Sequence, residues 1–308
     1  MARWLVALLS VACLGCTVNA GEALAVHRDI PYENISGVNP NLTSLDIYSV
    51  RPVPARPAPV VVWVHGGGWA IGDKSNGMRT KPALFGSAGY CLVSINYRLS
   101  PTKPSSDPKR VMYPIHERDV AAAVAWVHAR IAEYGGDPER IALMGHSAGA
   151  HLVSIVSTDE SFLKACGLPL GVIKGTLSLD TAGDDVAAVI EFHPNKMYTN
   201  AFGSDPAVWK QASPVTHVGP GKGIPPFFLV TRGMPARKEQ CAKFTKALQQ
   251  SGINATLVDA TGYTHNEVSG KIGTPGETVL TPPIMQFLAE CLGADPKAGA
   301  SQTASPGR

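Results

Sequence analysis

The chain has 308 residues, of which 44% are hydrophobic and 17% are charged, and its formal net charge is +3. These values describe a globular protein and exclude a chain that is disordered throughout. The mild positive charge is not gathered into a lysine- and arginine-rich block, so the sequence gives no support for nucleic-acid binding.

The N-terminal twenty residues predict an export signal. Arg3 gives a positive start, residues 4–15 are mainly apolar, and Val18-Asn19-Ala20 offers small residues for cleavage. The apolar stretch is short for a membrane span. The run Leu14-Gly15-Cys16 also resembles a lipoprotein cleavage site, so we expect membrane attachment only if Cys16 is acylated. A periplasmic or secreted location follows.

Four cysteines come after this signal. An oxidising compartment permits disulfides among them, and four cysteines allow three pairings. Cys91 opens a strand-like run and is expected to be a buried thiol. No two cysteines have the spacing of zinc ligands, so we expect no metal site. The four are Cys91, Cys166, Cys241 and Cys291.

Predicted strands and helices alternate along the rest of the chain. Short strands and turns are predicted over 26–58, and an irregular insertion over 185–225. Apolar, largely β-branched runs predict strands at 60–64, 91–97, 140–145, 175–179, 226–231 and 255–260. Apolar residues at helical spacing predict helices at 80–88, 117–135, 238–251 and 281–292, and another directly after Ser147. This order predicts one α/β domain over 26–293, with a doubly wound, mostly parallel sheet and helices on both faces. The composition of 294–308 predicts a disordered tail.

Ser147 lies in the segment GHSAG, residues 145–149, between a predicted strand and a predicted helix. That context is typical of a nucleophile elbow, in which Gly145 and Gly149 let the strand and helix cross closely around a strained serine. The alternative is a serine that only caps the helix.

The segment HGGGW, residues 65–69, follows the predicted strand 60–64. A dinucleotide-binding loop would continue into a helix, and this segment does not. We therefore predict an oxyanion hole, formed by the backbone N–H groups of Gly67, Gly68 and Ala148.

The sequence at this point resembles a known family. HGGGW, INYRLSP (95–101), YPIHERDVAAAVAWV (113–127) and GHSAG occur in the order found in α/β-hydrolase carboxylesterases, in the branch of the feruloyl-esterase-like and kynurenine-formamidase-like enzymes. Segments 201–218 and 264–288 are similar to that branch too, and the resemblance covers about residues 40–292. It implies an α/β-hydrolase fold, a Ser-His-acid triad and no cofactor.

Four histidines follow Ser147 and could serve as its base: His151, His193, His217 and His265. His265 follows the strand 255–260 and precedes the terminal helix, which is where the resembling family carries its base. We predict structural roles for His65 and His146 near the oxyanion loop.

The acid of the triad departs from the family pattern. The family usually carries it after the strand 226–231, but that loop has no carboxylate before Glu239, which falls in a predicted helix. Asp180 ends the preceding strand within Leu179-Asp180-Thr181-Ala182, a run similar to the acid segment of pancreatic-type lipases. Asp180 is the favoured acid; Asp185, Glu239 and the absence of any acid remain alternatives.

The predicted function is therefore a serine esterase for small acyl or aryl esters. Arylformamide hydrolysis by the same groups is one alternative, and a non-catalytic binding protein with a hydrolase-like fold is another. Four aromatic side chains are candidates for the rim of the site: Trp69, Phe192, Tyr198 and Trp209.

Overall fold

The computed structural model describes residues 24–50, 56–192 and 194–293. The predicted export signal with Cys16, the predicted tail and the candidate base His193 lie outside the described residues. Within the described ranges, no helix combines the length and the apolar character needed to cross a membrane.

One eight-stranded sheet organises the described chain. Its strands are β1 (Ala25–Pro31), β2 (Ser44–Ser49), β3 (Ala58–Val64), β4 (Cys91–Ile95), β5 (Gly136–His146), β6 (Ile173–Leu179), β7 (Phe227–Thr231) and β8 (Ala255–Asp259). They lie side by side in the order β1-β2-β4-β3-β5-β6-β7-β8. The pairs β1–β2 and β2–β4 are antiparallel, and every other neighbouring pair is parallel.

Helices flank this sheet. They are α1 (Lys81–Ser87), α2 (Ile115–Arg130), α3 (Ala148–Thr158), α4 (Glu160–Ala165), α5 (Val186–Phe192), α6 (Lys196–Phe202), α7 (Pro206–Gln211), α8 (Pro235–Gln250), α9 (His265–Gly270) and α10 (Thr281–Leu292).

The buried strand β3 shows why helices cover both faces of the sheet. Every residue of β3 is buried, and alternate side chains point to opposite faces. Val60 and Val62 join a core with residues of α2 and α3, whereas Val61 and Trp63 join a second core with residues of α1 and α10. The architecture confirms the predicted doubly wound, mostly parallel sheet.

Several local predictions differ from the structure; strand β5, for example, begins at Gly136 and not at residue 140. The helix predicted over 117–135 is α2, which begins at Ile115 and ends at Arg130, and a 3-10 turn (Ile131–Tyr134) follows it. The prediction of an irregular insertion over 185–225 is wrong, because α5, α6 and α7 lie there. Asn195 and Asp205 accept backbone N–H groups at the starts of α6 and α7, so these short helices are fixed by side-chain caps.

The four cysteines that the structure describes are all free thiols. Cys91 opens β4 and is buried, as predicted, and burial raises its pKa to about 12.

Candidate active site

Ser147 lies in a sharp turn between β5 and α3. Its backbone has φ 58° and ψ −119°, a strained conformation for a residue with a side chain. A Cβ on Gly145 would lie 2.2 Å from Gly149 O, and a Cβ on Gly149 would lie 2.1 Å from Val64 O. Because neither position has room for a side chain, the two glycines allow strand and helix to cross around the serine.

The alternative role for Ser147 was to cap α3. Its side chain makes no capping hydrogen bond to that helix. The Ser147 backbone N–H donates to Leu179 O at 3.0 Å, which ties the turn to the end of β6. Ser147 lines the main cavity.

The glycine loop after β3 bends around the same cavity. Gly67 has φ 124°, and its carbonyl accepts from the N–H groups of Ala70 and Ile71 at 3.1 and 3.0 Å. Gly68 has φ 60°, and a Cβ there would lie 2.5 Å from Met197 Sδ. Gly67, Gly68 and Ala148 all line the cavity with Ser147. Among the described residues, none of their three N–H groups has a protein acceptor.

Residues of the INYRLSP segment support this loop. The Tyr97 hydroxyl donates to His65 O at 3.0 Å, and the two rings stack with centroids 4.4 Å apart. The Ser100 N–H donates to Trp69 O at 2.8 Å. These contacts fix both ends of the loop, which positions its N–H groups in advance.

Asp180 and His265 form a direct pair. Asp180 follows β6 and is completely buried, and its Oδ2 lies 2.6 Å from His265 Nδ1. His265 is the first residue of α9, whose start is fixed by a capping box between Thr264 and Glu267. Asp180 has φ 56°, a left-handed conformation that aspartate tolerates better than most residues. The structure thus brings the favoured acid to the favoured base.

Two arginines hold the carboxylate of Asp180 from its other side. Arg232 Nε donates to Oδ2 at 2.6 Å, and Arg237 donates to Oδ1 and to the backbone carbonyl at 2.9 and 2.7 Å. Burial would raise the pKa of Asp180, but the hydrogen bond from His265 and the nearby guanidinium charges lower it on balance. Asp180 is therefore a carboxylate near neutral pH.

The sequence reasoning missed Arg232 and Arg237. Both come from the segment after β7, where the resembling family carries its acid. The sequence did contain a signal for them. The segment TRGMPAR has two arginines and no carboxylate, so it could have been predicted to hold an acid that comes from another strand.

The other acid candidates lie elsewhere. Asp185 accepts the Ala188 N–H at 3.0 Å, near the start of α5. Glu239 lies on the exposed side of α8 and pairs with Lys243 at 2.9 Å. Within the described residues, neither of these two carboxylates contacts His265.

The remaining described histidines have structural contacts. His146 Nε2 lies 2.8 Å from His265 O, and burial followed by the nearby His265 lowers the pKa of His146 to about 4. His151 accepts from Trp69 Nε1 at 3.3 Å and lies 2.8 Å from Ala212 O. His217 contacts Gln211 O at 2.7 Å on α7.

The cavity above these residues has a volume of about 730 Å³ and is lined by both Ser147 and His265. No hydrogen bond joins these two side chains in the described part of the chain. Such bonds are often long before substrate binds and shorten in the complex. The apolar side chains of Ile71 and Met197 stand exposed at its rim.

Three of the four predicted rim aromatics line cavities. Trp69 and Tyr198 line the main cavity, and Phe192 lines neighbouring ones. Trp209 instead donates to Gly203 O at 2.9 Å and packs against the core.

A buried lysine below the cavity was also missed. Lys81 is completely buried in α1, and its ammonium donates to Gly77 O and Ser269 O at 3.0 and 2.8 Å. It lies 4.4 Å from the centre of the Trp63 ring. Burial lowers the pKa of Lys81 to about 7. The side chain connects α1 to the end of α9, the helix that begins with His265.

His146, Asp180 and His265 also present possible metal-ligand atoms within 4.8 Å of one another. Both oxygens of Asp180 already accept hydrogen bonds from arginine or histidine. Two guanidinium cations against this carboxylate oppose a further cation, so the group fits a proton-transfer site better than a metal site.

The sheet order, the elbow and the acid–histidine pair together define the α/β-hydrolase fold. Esterase B from Lactobacillus rhamnosis has a similar structure, with a TM-score of 0.69 at 19% identity over 91% of this chain and 89% of that one. The chain belongs to the BD-FAE family, which matches residues 45–236.

Two similar sequences come from Mycobacterium tuberculosis. Esterase LipQ is 32% identical over 237 residues, which are 73% of this chain and 53% of LipQ. Esterase LipC is 27% identical over 220 residues, which are 67% of this chain and 52% of LipC. The chain thus spans about half the length of these relatives.

Proposed function

We propose that this protein is a carboxylic ester hydrolase in which Ser147 is the nucleophile, His265 the general base and Asp180 the acid of the triad. The observation that carries the proposal is the 2.6 Å contact of Asp180 with His265, beside a cavity that His265 shares with a strained serine. Similar proteins described as esterases support the reaction class.

The reaction follows from the positions of these groups. The N–H at Nδ1 of His265 donates a hydrogen bond to Asp180, which leaves Nε2 free to take the proton of the Ser147 hydroxyl. The serine oxygen then attacks the ester carbonyl, and the N–H groups of Gly67, Gly68 and Ala148 stabilise the oxyanion. His265 protonates the departing alcohol, and water, activated by the same imidazole, releases the acyl group.

The shape of the cavity favours small acyl or aryl esters. The cavity is open, and its rim presents Ile71 and Met197 to solvent. An aryl ring or a short acyl chain would cover these side chains and remove apolar surface from water.

A substrate panel with active-site variants tests the proposal. We expect hydrolysis of p-nitrophenyl acetate and butyrate, and Ser147→Ala should lower kcat by at least about a thousandfold because the nucleophile is lost. Ser161→Ala, an exposed serine on α4, is the matched control and should keep wild-type turnover.

Three results would contradict the proposal. Unchanged turnover in Ser147→Ala would show that the serine is not the nucleophile. Failure of the wild type to hydrolyse any ester or to react with a fluorophosphonate would favour the non-catalytic binding protein. Preference for N-formylkynurenine over every ester would instead favour an arylformamidase.

A further inference from the structure

The two arginines at Asp180 have more hydrogen-bonding capacity than the carboxylate uses. Arg232 contacts Asp180 through Nε alone, and Arg237 through Nε and Nη2. Both Nη atoms of Arg232 and the Nη1 of Arg237 have no acceptor among the described residues. The side chains are 22% and 28% exposed, so water reaches them from the cavity side.

The local charge is also unbalanced. Two guanidinium groups stand against one carboxylate, and no other carboxylate in the described part of the chain accepts from either arginine. One arginine would neutralise Asp180. Asp184 also interacts with the charge of Arg237, but it is buried, and burial raises its pKa to about 7, so it only partly offsets that charge near neutral pH. The second arginine therefore leaves positive charge next to the reacting groups, and a monoanion would balance it.

A second cavity continues from this point. It has a volume of about 490 Å³ and shares Arg232, Arg237, Tyr198 and Ala182 with the main cavity. Its other walls are mainly apolar and include Val189, Phe192 and Met234. Phe192 and Met234 are 75% and 68% exposed, so they present apolar surface to solvent at this groove. The arginines therefore lie where two cavities meet, beside an apolar groove.

We propose that Arg232 and Arg237 form an anion subsite, and that the preferred substrates are esters carrying a carboxylate on an apolar or aromatic body. The inference rests on the proposed esterase function and names its substrate class. A guanidinium group presents paired N–H donors that match a carboxylate, and the apolar groove accommodates the body that joins carboxylate and ester.

Matched esters that differ only in charge test this inference. The pair is meta-acetoxybenzoate and meta-acetoxybenzamide, in which the ring and the acetyl ester are the same. We expect the wild type to favour the anion by about tenfold or more in kcat/KM, mainly through KM, because charge-assisted hydrogen bonds hold it. A second pair places the carboxylate on the acyl side of the ester. It compares the mono-p-nitrophenyl ester of adipic acid with p-nitrophenyl hexanoate.

Variants of the arginines separate substrate binding from the support of Asp180. Arg232→Gln and Arg237→Gln should slow both esters of a pair, since each removes a contact with Asp180. Only an anion subsite predicts that the ratio between the charged and the neutral ester also falls towards one. Arg118→Gln, an exposed arginine on α2, is the matched control and should leave the ratio unchanged.

Inhibition of the wild type covers the case in which the variants do not fold. Benzoate should compete with the neutral ester, benzamide should compete less, and added salt should weaken the benzoate effect. Ser147-dependent hydrolysis without any preference for charge, in either pair, would overturn the subsite and leave the esterase function intact. Absence of Ser147-dependent hydrolysis would overturn both.

Discussion

At the scale of single residues, the carboxylate that contacts His265 follows β6, one strand before the segment where the resembling family carries its acid. Asp180 ends β6, and the segment after β7 contributes Arg232 and Arg237, which hold that carboxylate. Neighbouring strand ends lie about 5 Å apart, so a carboxylate from either strand can reach one imidazole. In this protein the carboxylate has two cations beside it.

Replacement of the acid tests its role. Asp180→Asn should lower kcat by about 10²- to 10⁴-fold, because an amide neither selects the correct tautomer of His265 nor stabilises its cation. Steady-state kinetics with p-nitrophenyl acetate measure the loss, and circular dichroism checks the fold. Asp185→Asn is the matched control, since asparagine also caps a helix start. Near-native turnover in Asp180→Asn, or an equal loss in Asp185→Asn, would contradict this assignment.

At the scale of elements, the sharp turn at Ser147 depends on the close approach of β5, α3 and the end of β3 to one another. Four non-glycine residues in the described ranges have positive φ, and three of them belong to the site: Trp69, Ser147 and Asp180. Backbone strain of this kind persists only where surrounding contacts fix it. The crossing of strand and helix supplies those contacts at Ser147.

A single methyl group in that crossing should disrupt it. Gly149→Ala places a Cβ 2.1 Å from Val64 O, a backbone atom that cannot move without shifting β3. We expect loss of esterase activity and a large fall in the melting temperature, as for other severe overpacking. Gly171→Ala is the control, because nothing lies within 4 Å of its added Cβ, and it should change stability by less than about 0.5 kcal/mol. A Gly149→Ala protein as stable and active as the wild type would show that the crossing is looser than the structure indicates.

At the scale of the whole molecule, buried ionisable groups make stability depend on pH. Burial lowers the pKa of His65, of His116 to about 3, and of His146 and His151 to about 4. These rings stay neutral in the folded protein while the unfolded chain binds protons below about pH 6.5, so folding loses stability as the pH falls through this range. Burial of Glu117 acts in the opposite direction, because it raises that pKa to about 8.

These directions of the pKa shifts predict how the melting temperature depends on pH. The raised pKa values of Glu117 and Asp184 favour folding as the pH falls towards 4.5, and they partly offset the histidines. Below that pH the contribution of Glu117 ends and that of Asp184 ends near pH 3.8, while protonation of the unfolded histidines continues to cost stability and Asp180, whose pKa is lowered, begins to do so. The melting temperature should therefore fall between about pH 6.5 and 4.5, and more steeply below 4.5. A melting temperature that is constant or rising down to pH 4 would contradict this account.

The sequence predicted the sheet, the elbow and the glycine loop because each depends on local patterns. The buried run at 60–64 predicts a strand from its β-branched residues, and GHSAG predicts a sharp turn from its glycines. The short helices of 185–225 were missed, since apolar periodicity is weak over six or seven residues and their ends depend on single caps such as Asn195 and Asp205.

By itself, the sequence determined the order of elements, the candidate nucleophile Ser147 and a short set of bases and acids. Only the tertiary structure decided which acid contacts His265, because Asp180 and His265 are 85 positions apart and meet through the alignment of parallel strand ends. It also decided the surroundings of Asp180, since the two arginines that hold it come from a different strand end. Contacts between distant segments depend on the packing of the whole sheet, and no local pattern specifies them.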